Sequence, residues 1–142
     1  MEECRISHGF GKEDALFKPR KLICIGRNYA KHAAELGNAV PTEPMIFLKP
    51  ASSLIESGED IVIPPASNDV HYEVELVCLI GEPGAHITEE EALDHVAGYA
   101  VGLDMTARDL QQKAKEKGLP WSVAKGYDTF APLGIFRPAS EL

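Results

Sequence analysis

The sequence predicts a mixed α/β fold that is rich in β-structure. Short apolar runs of Val, Ile, Leu and Phe recur along the chain, and glycine or proline stops most of them. Ten prolines are spread among them, which suits short strands and irregular loops better than a regular βαβ series. The 142 residues suffice for one domain with a real core. Apolar residues make up 44% and charged residues 25%, the balance of a globular chain rather than a disordered one.

Residues 1–20 are weakly patterned and read as a leader onto the first strand. Lys21-Leu22-Ile23-Cys24-Ile25-Gly26 reads as a buried strand stopped by glycine. Residues 28–36 read as a short helix with Gly37-Asn38 as its stop. Met45-Ile46-Phe47-Leu48-Lys49 is a strand closed by Pro50, and Asp60-Ile61-Val62-Ile63 a short strand before Pro64-Pro65. Residues 70–80 form the longest predicted strand. Thr88 and Glu91 have capping-box spacing, which predicts a helix to about Val96. Gly98 to Asp104 reads as a strand. Thr106 to Lys117 reads as an amphipathic helix ended by Gly118, and Trp121 to Ile135 as loop and short strand.

The net charge is −8, from 14 basic and 22 acidic residues. No basic cluster interrupts the acidity, which argues against nucleic acid or an anionic membrane as partner. Cys4, Cys24 and Cys78 are odd in number and share no C-x-x-C spacing. That pattern predicts a reducing compartment, with Cys24 and Cys78 as inert core residues inside apolar runs. No stretch has the length of a membrane-spanning helix and no secretory h-region opens the chain, so the sequence predicts a cytoplasmic protein.

The chemistry starts at His71-Tyr72-Glu73-Val74-Glu75-Leu76. Residues two apart on a strand share a face, so Glu73 and Glu75 point the same way, roughly 6–7 Å apart. Two carboxylates on a buried strand call for positive charge between them, and a hard divalent cation such as Mg²⁺ supplies it. An exposed strand edge with a solvated polar face also fits the pair. Asp104, where a strand gives way to a helix, is a third candidate ligand; acidic residues there also favour the helix dipole. His32 and Glu35 are neighbours at i and i+3, as a general base and its orienting carboxylate would be, or as a surface ion pair. Lys125 follows the apolar approach Trp121-Ser122-Val123-Ala124 and points at a buried anion or at solvent.

Taken in order, Gly26-Arg27-Asn28-Tyr29-Ala30-Lys31-His32, Phe47-Leu48-Lys49-Pro50, His71-Tyr72-Glu73-Val74-Glu75, Gly98-Tyr99-Ala100, Leu103-Asp104-Met105-Thr106-Ala107-Arg108-Asp109 and Gly118-Leu119-Pro120-Trp121 resemble the fumarylacetoacetate hydrolase family. The resemblance is closest to its small acylpyruvase and oxaloacetate-processing branch and runs from about residue 21 to the end. It implies barrel-like mixed sheets of β-roll type with short peripheral helices, residues 21–142 being the N-terminal and central part of the catalytic domain. It implies Mg²⁺ or Mn²⁺ on Glu73, Glu75 and Asp104, a catalytic dyad of His32 and Glu35 on a lid, and a small 2-oxo acid held by Arg108, Gln111 and Lys125. A homodimer is implied as well. The implied reactions are acylpyruvate hydrolysis, oxaloacetate decarboxylation and keto–enol tautomerisation, with an isomerase or decarboxylase of homoprotocatechuate breakdown as the alternative. The family's later Lys-x-Asn-Gly and Thr-Gly-Thr-Pro segments are not in this sequence. A second alternative is therefore a catalytically incomplete metal-binding fragment that works when joined to a partner chain.

Overall fold

The computed structural model describes residues 4–6, 15–29 and 42–142. The architecture is mixed and strand-rich, with short helices and no closed barrel among the described residues. Strands β1 (Cys4–Ile6) and β2 (Ala15–Phe17) pair antiparallel within the segment expected as a leader. Strands β3 (Lys21–Gly26) and β4 (Met45–Pro50) form a second antiparallel pair, with Ile23 opposite Leu48.

The largest sheet is built on β8 (Val96–Leu103). One edge of β8 pairs along its length with β7 (Val74–Ile80). The other edge is shared by β10 (Ala131–Leu133) and β11 (Arg137–Pro138). Parallel to β10 runs β5 (Leu54–Glu56). A short pair, β6 (Val70–His71) with β9 (Thr106–Ala107), leads into helix α1 (Arg108–Glu116), and helix α2 (Ser122–Lys125) follows. Two apolar clusters hold this together. Ala100 and Phe136 gather Phe17, Val77, Leu79 and Leu133, while Met105, Ala107 and Phe130 gather Ile61, Val70, Leu103 and Leu110.

Several expectations are corrected. The run over 70–80 is not one strand. It breaks at Tyr72-Glu73 because β6 and β7 follow different partners, β9 and β8, and β8 is the longer strand. Residues 60–63 join no sheet; the Val62 amide donates instead to the Thr129 hydroxyl at 2.9 Å. At the capping box, one Glu91 carboxylate oxygen accepts from both the amide and the hydroxyl of Thr88. A 3₁₀ turn over Ala92–His95 follows in place of the expected helix. The His95 carbonyl accepts from the amides of Gly81 and Glu82, tying that turn to the end of β7. The helix expected from Thr106 starts at Arg108, since Thr106 and Ala107 belong to β9. It stops where Gly118 takes φ +64°, a conformation that glycine adopts at no steric cost.

Neither β3 nor β7 is fully buried: each alternates, with Ile23, Leu76 and Ile80 outward. Cys78 is on the exposed side and is not a core residue, whereas Cys24 is half-buried. Asn28 and Tyr29 are irregular, and the rest of the helix expected over 28–36, with His32 and Glu35, lies outside the described residues.

Candidate active site

A single pocket collects side chains from elements far apart in sequence. The turn after β3 contributes Arg27, Asn28 and Tyr29, and β4 contributes Phe47. Glu73 comes from the break between β6 and β7, Glu75 from β7 itself, and Asp104 from the end of β8. Helix α1 contributes Arg108, Gln111 and Lys115, and the α2 segment Trp121 and Lys125. Glu73 and Glu75 both line the pocket, although only Glu75 belongs to a strand. The backbone bond from the Asp104 amide to the Glu73 carbonyl, 2.8 Å, holds the two acidic segments side by side.

The carboxylates are held by a chain of cations. Lys125 Nζ lies 2.8 Å from Glu73 Oε1 and 2.5 Å from Asp104 Oδ2, over the Phe47 ring. Glu73 Oε1 also accepts from the Thr106 hydroxyl at 2.6 Å and meets Arg108 at 3.0 Å. Arg108 donates in turn to Gln111 Oε1 at 2.9 Å, so the i, i+3 pair on α1 acts as one unit. On the far side, Lys49 Nζ lies 2.9 Å from Asp104 Oδ1.

These contacts shape the ionisation of the acids. Burial opposes the charge on Glu73, but the hydrogen bonds and charge of Lys125, the Thr106 hydroxyl and Arg108 outweigh it and hold its carboxyl below the usual range. Glu75 goes the other way. Burial, and then the charges of Glu73 and Asp104, push it up, with only a Tyr29 hydrogen bond and the Lys125 charge opposing. Burial first, and then Asp104, pushes the Cys24 thiol up to about 11, which suits an inert thiol.

Of the residues picked from sequence, Glu73, Glu75, Asp104, Arg108, Gln111 and Lys125 stand together in this pocket. His32 and Glu35 lie outside the described residues. Sequence reading passed over Lys49 and Thr106. The local signals for Lys49 are its place in the Phe47-Leu48-Lys49-Pro50 motif and at the end of an apolar strand just before proline. Among the described residues no group of three or more His, Cys, Asp or Glu side chains is placed to hold a metal ion. The Lys125 ammonium takes the place between Glu73 and Asp104. The donor chemistry is of the kind a hard divalent cation takes, since the carboxylates of Glu73, Glu75 and Asp104 all line the pocket.

Residues 21–142 match the family model described as fumarylacetoacetate (FAA) hydrolase C-terminal. An oxaloacetate tautomerase, mitochondrial, of Arabidopsis thaliana is 57% identical over 118 residues, 83% of this chain and 53% of the relative. An oxaloacetate decarboxylase, mitochondrial, of Dictyostelium discoideum is 52% identical over 124 residues, 87% of this chain and 57% of the relative. The chain thus spans little more than half the length of these relatives. The crystal structure of a fumarylpyruvate hydrolase from Pseudomonas aeruginosa in complex with Mn²⁺ and pyruvate superposes with a TM-score of 0.86 at 41% identity, covering 98% of this chain and 61% of that one.

Proposed function

We propose, from the premise that the chain belongs to the fumarylacetoacetate hydrolase family, that it acts on small 2-oxo acids with a divalent metal ion. The observation that carries this is the meeting of Glu73, Glu75 and Asp104 with Lys125 and Arg108 in one pocket. Acidic groups there hold a cation, while basic groups bind the substrate anion.

Glu73, Glu75 and Asp104 are the residues that would hold Mg²⁺ or Mn²⁺. When bound, the metal supplies a Lewis acid for the carboxylate and keto oxygens of the substrate. The chain's own groups do the rest. Arg108 and Lys125 bring positive charge to the oxygens on which an enolate develops, in a pocket walled by Phe47 and Trp121. Gln111 keeps Arg108 oriented. Arg27 and Lys115 add positive charge to the same pocket, which favours a substrate with two carboxylates. In hydrolysis His32, with Glu35 to orient it, would activate a water; decarboxylation would need no water attack, and tautomerisation only a proton shuttle.

Oxaloacetate is the first substrate to test, because two relatives are named for it. Turnover of oxaloacetate that EDTA abolishes and Mg²⁺ or Mn²⁺ restores is the expected result. Glu73→Gln should weaken Mn²⁺ binding measured by calorimetry; binding equal to the parent chain's refutes the metal assignment. Faster turnover of a long unsaturated diacid than of oxaloacetate would favour the homoprotocatechuate alternative. A second reading is a chain that binds metal but turns over only with a partner chain. It draws support from the exposed apolar faces of β3–β4 and β7–β8, which also favour a homodimer. Among the described residues no helix is long and apolar enough to cross a membrane, and a reducing compartment suits the free Cys24 and Cys78.

A further inference from the structure

Lys49 is, with Lys125, one of the two most enclosed charges among the described residues, with 2% of its surface exposed. It occupies an inward position of β4, and its ammonium carries three N–H donors. They meet the carbonyls of Met105 at 2.9 Å, Lys125 at 2.6 Å and Phe130 at 2.9 Å. The same nitrogen lies 2.9 Å from Asp104 Oδ1. With all three donors on carbonyls, the buried Asp104 Oδ1 accepts no hydrogen bond among the described residues, and its tie to Lys49 is an ion pair.

The choice of partners is specific. Met105 is the residue next to Asp104, and the Lys125 carbonyl belongs to the residue whose ammonium bridges Glu73 and Asp104. The two oxygens of Asp104 are divided: Oδ1 faces Lys49 and Oδ2 faces Lys125. A lone ionised ammonium is costly to bury, and ties to three backbone segments make it a rigid post. We propose that Lys49 is a positioning residue: it fixes the rotation of the Asp104 carboxylate, so that Oδ2 is presented to the pocket, and it anchors the backbone that carries Lys125. The metal half of this inference rests on the reading under Proposed function; the Lys125 half does not.

The test is Lys49→Gln in the 142-residue chain, with circular dichroism to establish that it folds. Two quantities are read: acylation of Lys125 by an amine reagent, mapped by mass spectrometry against the other lysines, and affinity for Mn²⁺ alone. Removing a positive charge beside Asp104 would by electrostatics tighten binding of a dication. Loss of positioning acts the other way, by about tenfold or more, as for other groups that orient metal ligands. The expected result is several-fold faster labelling of Lys125 and weaker Mn²⁺ binding. Unchanged labelling, or Mn²⁺ affinity equal to or above the parent's, overturns the proposal even if the unfolding temperature falls. If the parent chain binds no Mn²⁺, the metal assignment fails, and Lys125 labelling alone decides this inference. Should Lys49→Gln not fold, Lys49→Arg decides. Its planar guanidinium keeps the charge but cannot address the same set of acceptors, so parent-like labelling and affinity would refute the role.

Discussion

Around Asp104 the charges are inside, with Lys49 and Lys125 each 2% exposed, while on the outer faces of the sheets the apolar residues are outside, with Leu76 and Val101 each 63% exposed. Both regions are laid down by the same strands. On β4, Lys49 turns inward and Leu48 outward; on β7, Glu75 faces the pocket and its neighbour Leu76 does not. On β8, Gly102 is inward and Val101 outward. Hydrophobicity alone would place these side chains the other way round. Strand alternation decides instead, and charge is tolerated on the inner side around Asp104 because ion pairs and backbone carbonyls meet Lys49 and Lys125. The outer face has no such accounting, and patches of this kind mark surfaces that meet another surface.

The largest expected effect falls on the inner region. Asp104→Ala leaves the buried Lys49 without its carboxylate and Lys125 with Glu73 only, and should cost about 3–5 kcal/mol in urea denaturation. A loss below about 1 kcal/mol would mean that the three carbonyls around Lys49 suffice. A middle-sized test contrasts neighbours on β8. A Cβ at Gly102 would lie 2.7 Å from Val77 and 2.9 Å from Leu133, so Gly102→Ala should destabilise by about 1–3 kcal/mol. Val101→Thr on the outward face should stay within about 0.5 kcal/mol. An equal loss at both positions would show that the outer face is covered in solution.

The smallest effect concerns pH. The Ser67 hydroxyl donates to Asp109 at 2.6 Å and holds that carboxyl below its usual range. A depressed carboxyl contributes stability that is present above its unfolded pKa and lost as pH falls through the folded one. Ser67→Ala should therefore lower the unfolding temperature more near pH 7 than near pH 3. A gap of equal size at both pH values would show that the hydroxyl does not act through the ionised Asp109.

Local pattern made much of this legible. The strands over 21–26 and 45–49 and the stop of α1 at Gly118 follow from residue periodicity and breakers alone, the second strand running on to Pro50. The break at Tyr72-Glu73 was not legible, because it arises when one run of chain finds two different ladder partners. Nor could an uninterrupted apolar run such as residues 76–80 show which of its faces is covered, since continuous hydrophobicity fits a half-exposed strand and a buried one equally.

By itself the sequence determined the list of chemical groups and much of their local geometry: a Glu-x-Glu pair, an Arg–Gln pair one helical turn apart, a carboxylate at a strand end. Those depend on spacings of a few residues, which backbone periodicity sets. Only the tertiary structure decided that Lys49 would become the cation beneath Asp104 and Lys125 the bridge to Glu73. Their partners lie up to 81 residues away, and burial of a charge is tolerable only where distant carbonyls and carboxylates converge on it.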